Sequence, residues 1–206
     1  MSAGERVRHL AHGHLADAPP PCRACMWWQT RPGRQPGDRL RWAHETEDDF
    51  GAWGKLYLDE GRVIGLIQYG PADRFPRTQT MPAGPPSRDA VVVTCAFLTD
   101  VQSPWVLQSL FLAAIGECRD RGHPGLEAFS YRYVDSEPFA GRFLTHRTIF
   151  PSDFLRDFGF HPLRSAGRIE LMRLDLRALE LEPERSLAAR LRARLAPVNP
   201  APVPLR

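Results

Sequence analysis

Residues 91–129 limit the fold of this chain more than any other stretch. Val91-Val92-Val93-Thr94-Cys95-Ala96-Phe97-Leu98 is an unbroken apolar run of β-forming residues. It turns through residues 99–108 into an apolar helix, 109–121, that stops at Gly122. A second strand, 126–133, follows at once. Strand, turn, helix, strand is a βαβ-like unit. Such a unit aims the backbone N–H groups at the helix start toward whatever lies beyond the strand end.

The flanks supply further elements. Residues 1–21 are polar and end in Pro19-Pro20-Pro21, with one short helix expected over 6–15. Cys25-Met26-Trp27-Trp28-Gln29 is too apolar to be exposed without a reason. Residues 31–38 are rich in Pro and Gly and read as a loop. Over 40–56, Trp42, Phe50 and Trp53 fit one helical face, with Glu45, Glu47, Asp48 and Asp49 on the wet side. The runs 55–58 and 63–69 flank Asp59-Glu60-Gly61, a hairpin signal. Residues 70–88 hold five prolines; loops of that length are usually functional or mobile. After an irregular stretch, 134–149, a short helix opens at 150–153. Ser152 is its expected N-cap, Asp153 suits its positive end, and Gly159 its C-cap. Residues 169–176 alternate strictly, as a strand with one wet face does. In the tail, Leu187, Leu191 and Leu195 are spaced as on a short amphipathic helix, and 197–204 is Pro-rich. That helix either packs back on the core or meets a second copy in a homodimer; the sequence leaves both open.

Bulk properties narrow the classes. The 206 residues, 43% hydrophobic and 25% charged, suit one globular domain with a tail. A net charge of +3 without a basic stripe argues against nucleic-acid binding. No apolar run approaches the roughly 20 residues that span a bilayer. The polar N-terminus lacks the apolar centre of a secretory signal, so a cytoplasmic location and no membrane contact are expected. Cys95 and Cys118 read as buried small apolar residues. Cys22-Arg23-Ala24-Cys25 has the spacing of half a zinc site or of a redox pair. A closed zinc site takes four ligands, and the chain has no second Cys-x-x-Cys. The expectation is therefore no metal, but two reduced thiols beside an aromatic pair; a metal or redox module on Cys22 and Cys25 is the competing view.

The order of elements is α+β, and four motifs along it resemble the GCN5-related N-acetyltransferases (GNATs). Cys22 to Trp28 resembles the Cys- and Trp-rich opening of one bacterial branch. Cys95-Ala96-Phe97-Leu98 resembles the strand beside the pantetheine arm. Gly125-Leu126-Glu127-Ala128-Phe129 resembles the next strand. Phe154 to Phe160, followed by 169–176, resembles the closing helix and strand with their Gly-Phe junction. The resemblance covers about residues 20–178. It implies a GNAT domain over 1–178: a central mixed, mostly antiparallel sheet flanked by helices. Residues 179–206 form the C-terminal helical and Pro-rich tail.

The resemblance also implies chemistry. Acetyl-CoA would be the co-substrate, with Phe97 and Leu98 beside its pantetheine. Its pyrophosphate would sit over 103–109, on Ser103, Trp105, Val106, Leu107, Gln108 and Ser109. The family's loop pattern is Arg or Gln, two residues, Gly, one residue, then Gly or Ala. Here both small positions are filled by larger residues. Pro104 lacks an N–H, which costs nothing only if it occupies the first helical turn. N-acetyl transfer needs a deprotonated amine, an oxyanion donor and an acid for the thiolate. Glu127 is the base candidate and Tyr131 an acid candidate, while Tyr133 and Phe129 share its face. The family's tyrosine in the closing helix is here Leu155. Asp89, Asp135 and Glu137 could attract a cationic amine, and 70–88 could close over the cleft. The acceptor is a primary amine, on a small molecule or a protein lysine. The alternative is a catalytically impaired GNAT-fold protein that binds an acyl-CoA or a protein partner.

Overall fold

The computed structural model describes residues 6–100, 103–133, 141 and 148–178. The expected irregular segment 134–149 falls largely outside them, as do Asp135, Glu137 and the tail 179–206. The described elements are β1 (Val7–His9), α1 (Pro20–Arg23), α2 (Arg39–Phe50), β2 (Gly54–Asp59), β3 (Arg62–Pro71), β4 (Ala90–Leu98), α3 (Pro104–Asp120), β5 (Gly125–Tyr131), β6 (Phe150–Pro151), α4 (Ser152–Asp157), β7 (His161–Ala166) and β8 (Ile169–Asp175). The strands form one sheet in the order β1-β2-β3-β4-β5-β8-β7, and the two-residue β6 joins β5. The β4–β5 and β5–β6 pairings are parallel; the others are antiparallel. The sheet is therefore mixed and mostly antiparallel, with helices on both faces.

Several local expectations change. Residues 6–15 form no helix: Val7 pairs with Tyr57 as strand, and a 3-10 turn, His12–Asp17, follows. The fully buried Leu10 anchors that crossing. Helix α2 starts on Asp38, whose carboxylate accepts from Leu40 N and Arg41 N, and it buries Trp42, Ala43, Thr46 and Phe50. It ends at Gly51, φ 83°, a left-handed position that glycine takes without strain. Trp53 thus lies beyond the helix, yet it is fully buried edge-on to Trp42 at 5.0 Å. Helix α3 begins at Pro104 rather than at 109, and Pro104 takes the first turn, where no N–H is missed. Ser152 is not the cap of α4; that position is Pro151, and the buried Ser152 hydroxyl bonds Ser130 at 2.9 Å. Strand β7 went unread because all six of its residues are exposed.

Helices α3 and α4 cover one face. Helix α3 crosses β2 and β3 so closely that a Cβ at Gly65 would meet Val106 at 2.6 Å. Helices α1 and α2 and the 72–89 connection cover the other face. That connection is folded down rather than open. Phe75 is fully buried, Arg77 N donates to Trp28 O at 3.2 Å, and Arg164 Nε of β7 donates to Ala83 O at 3.0 Å.

A polar cluster fastens α3 to the sheet. The buried Lys55 ammonium contacts Glu117 Oε2, which also accepts from Tyr69 Oη at 2.9 Å and lies 3.3 Å from His9 Nδ1. Burial pushes the Glu117 carboxyl up, but Lys55 and the Tyr69 hydroxyl outweigh that and hold it below its ordinary value. A depressed carboxyl adds stability above its unfolded-chain value and loses it as pH falls through the folded one. The urea midpoint is thus expected to fall as pH drops below about 4.5, and Glu117→Gln to flatten that limb. Equal pH slopes in the two proteins, from urea titrations between neutral and acid pH, would refute the assignment.

Candidate active site at the splayed end of β4

Strands β4 and β5 pair only from Ala90–Gly125 to Val93–Ala128. At that point β3–β4 pairing slips, from Gln68–Cys95 to Tyr69–Val93, leaving Thr94 as an extra residue. Such a bulge bends and twists the strand that carries it. Beyond it β4 leaves β5, and β6 pairs with Ser130 and Tyr131 of β5 instead. The result is a V-shaped opening. Thr99 N donates to Ile64 O at 3.0 Å. Antiparallel alternation then turns the amides of Phe97 and Cys95 toward β3, and it leaves the N–H and C=O of Ala96 and Leu98 on the edge that faces the opening. Among the described residues, no strand pairs with that edge beyond Val93.

The start of α3 is poorer in donors. Ser103 N donates to Asp100 O at 3.3 Å, Pro104 has no N–H, and Val106 N donates to Ser103 O at 3.0 Å. Of residues 103–106 this leaves only the Trp105 N–H without a partner among the described residues. The Ser103 and Ser109 hydroxyls donate to Asp100 and to Trp105 O. Val106 and Leu107 are buried against the sheet, and Gln108 is exposed. The Trp105 ring does not fold over the helix end; it stands edge-on to Tyr57 at 5.4 Å.

On the α2 face, a cavity of about 180 Å³ opens beside the splay. Gln68, Cys95 and Phe97 floor it, and Cys22, Cys25, Trp28 and Arg39 cover it. Gln68 is buried; its Oε1 accepts from Gln29 Nε2 at 3.0 Å and from Arg39 Nη2 at 2.9 Å. None of the four cysteines is in a disulfide. Burial pushes the Cys95 thiol up to about 12, and likewise Cys118, so both are neutral. Among the described residues, no group of three or more His, Cys, Asp or Glu side chains could hold a metal ion, and no helix is long and apolar enough to cross a membrane.

Glu127 and Tyr131 occupy the same face of β5 but different surroundings. Glu127 lies within the paired part of the strand, opposite Val92, and is fully buried. Its Oε1 accepts from Arg173 Nη1 at 3.1 Å and its Oε2 from Ser87 N at 2.8 Å. Both oxygens are therefore engaged, with no exposed surface through which to reach an amine. Asp89 holds the other side of Arg173, at 3.0 Å. Tyr131 is half-buried at the open end of β5, its ring 4.9 Å from that of Tyr133. Leu155 is fully buried in α4. Sequence reasoning missed Arg39; the only hint was a cation beside a tryptophan-rich helix face.

The architecture is that of the GNAT fold. The loading GNATL domain of CurA from Lyngbya majuscula is similar with a TM-score of 0.50, over 84% of this chain and 98% of its own, at 13% identity. The ribosomal-protein-S18-alanine N-acetyltransferase of Escherichia coli is 13% identical over 85% of this chain and 96% of its own, TM-score 0.47. The PaiA N-acetyltransferase of Thermoplasma acidophilum, solved in complex with coenzyme A, is 11% identical over 82% and 97%, TM-score 0.45. No protein-family model and no curated protein matches the sequence.

Proposed function

We propose that the chain is an acetyl-CoA-dependent N-acetyltransferase acting on a primary amine. The observation that carries this reading is the β4 edge at Ala96 and Leu98, which no described strand pairs, beside a cavity that reaches Cys95 and Phe97. An edge of alternating N–H and C=O groups suits the amides of a pantetheine arm laid along it. In the transfer, the amine nitrogen bonds to the thioester carbonyl carbon and the C–S bond breaks. The amine gives up a proton and the departing thiolate takes one. A β4 amide hydrogen is the donor available to the carbonyl oxygen. Tyr131, at the mouth, is the proposed proton donor to sulfur. Glu127 is given a structural task, and the amine's proton passes to solvent.

The scarcity of free N–H groups at Ser103 to Val106 favours a second reading: an impaired relative that holds an acyl-CoA or a protein partner without turnover. Two measurements separate them. Calorimetry with acetyl-CoA is expected to show binding of about 4–8 kcal/mol, between millimolar and micromolar. Thiol release with amines is then expected to follow. No binding at millimolar acetyl-CoA removes the first reading; binding without turnover across a broad amine panel leaves the second.

A further inference from the structure

Among the described residues, Arg39 is a charge without a counter-charge. It is the first residue of α2, and its guanidinium lies 4.5 Å from the Trp42 ring and 4.8 Å from the Trp53 ring. Its Nη2 donates to the neutral Gln68 carboxamide. Its Nε and Nη1 are buried and have no hydrogen-bond partner among the described residues, and the same is true of the indole Nε1 of Trp28. Both residues line the cavity beside the splay.

Burying a cation without a partner is costly unless other contacts compensate it. Stacking on two indoles recovers part of that, but it satisfies no N–H. The neighbouring acids bond elsewhere: Asp38 caps Leu40 and Arg41, Glu45 pairs with Arg41, Glu47 with His12, and Asp49 and Glu45 with Arg74. Nor does the neutral Cys95 thiol supply an anion. The cavity is lined by Arg39 and Trp28, which carry these three unmet donors, and that calls for an anionic acceptor from outside. A carboxylate meets a guanidinium with paired, charge-assisted hydrogen bonds. The apolar parts of the wall, Trp28 and Phe97, suit a short carbon skeleton.

We propose that this cavity binds small molecules of the amino-acid class through their carboxylate, with Arg39 as the receptor and Trp28 Nε1 as a further donor. The amine of such a molecule then lies toward the Ala96–Leu98 edge. Only this last step, acetylation of the bound amine, rests on the transferase reading; carboxylate binding does not.

The test uses the full chain and three matched pairs: L-alanine, L-leucine and L-methionine, each beside its carboxamide. The free acids are expected to raise the unfolding temperature and the amides to leave it unchanged. With acetyl-CoA present, kcat/KM for the acids is expected to exceed that for the amides by about tenfold or more, which is about 1.4 kcal/mol. In Arg39→Met, which keeps the stem against the indoles, the ratio of acid to amide kcat/KM falls toward one. Equal stabilisation and equal rates for acids and amides in the unaltered protein overturn the proposal, whether or not the variant folds. Acids that stabilise a protein unable to bind acetyl-CoA keep the carboxylate site and remove the transferase. Acetyl transfer indifferent to the carboxylate does the reverse.

Discussion

Replacing Arg173 by alanine is expected to lower the unfolding temperature by roughly 6–20 °C. Arg173 lies on β8, paired in register with Glu127 of β5. Its guanidinium is folded so closely over β5 that a Cβ at Gly125 would meet it at 2.7 Å. Removing it leaves the Glu127 carboxylate with no exposed surface and no counter-charge. Breaking a buried pair from one side costs about 3–5 kcal/mol, and a chain of this size loses about 2–4 °C per kcal/mol. Asp89→Ala is the control. Its carboxylate is half-exposed, and pairs of that kind contribute about 1 kcal/mol or less. Thermal unfolding followed by circular dichroism reads both. The same frame decides what Glu127 does. As a structural anion, Glu127→Gln weakens the fold but leaves acetyl transfer per folded molecule unchanged. An intact fold with turnover abolished would return Glu127 to the chemistry, and equal unfolding temperatures for Arg173→Ala and Asp89→Ala would end the buried-pair account.

The two halves of this site differed in how far the sequence could show them. The β4–α3–β5 unit was legible because its signal is local: an apolar run, an apolar helix and a glycine stop lie within forty residues of each other. Even there α3 begins at Pro104, five residues before the apolar run 109–121. Ser103-Pro104 is a start signal, with Pro at the first helical position, and buried Val106 and Leu107 continue its face. Strands β1 and β6 are too short to carry a period, and β7, exposed throughout, has no alternation to detect. What a carboxylate does is a non-local matter. Glu127 could be seen as an acid on a strand, but its partner comes from a strand 46 residues away, brought there by antiparallel register. Arg39 was hidden for the same reason: Gln68, which it bonds, and Cys95 and Trp28, which share its cavity, come from three separate segments. The apolar run 25–29 divides: Met26 and Trp28 are buried as its composition implies, but Cys25 is exposed and Trp27 is 37% exposed, its ring 4.3 Å from the Arg77 guanidinium.

Phe111→Ala is expected to be as damaging as the loss of Arg173, and more local in its effect. Phe111 is fully buried on the sheet side of α3. Its ring touches four others from one short segment: Phe150 at 4.9 Å, Phe154 at 5.1 Å, Phe158 at 5.5 Å and Phe160 at 6.5 Å. These residues are β6, α4 and the turn after it, the pieces that fill the gap where β4 departs from β5. Deleting a buried phenylalanine costs about 3–5 kcal/mol, through lost transfer energy and the cavity left behind. Edge-to-face pairs add about 0.5–1.5 kcal/mol each beyond area. The short segment has little else to hold it: β6 is two residues and α4 six, below the length at which a helix is stable alone. The expected signature is therefore asymmetric. Amide exchange should quicken over residues 150–160 by more than over β2 and β3, and acetyl-CoA affinity should fall with it, because the wall of the splay loosens. Uniform acceleration across the sheet would mean that Phe111 supports the core as a whole, and the opening beside β4 would then owe its shape to the Thr94 bulge alone.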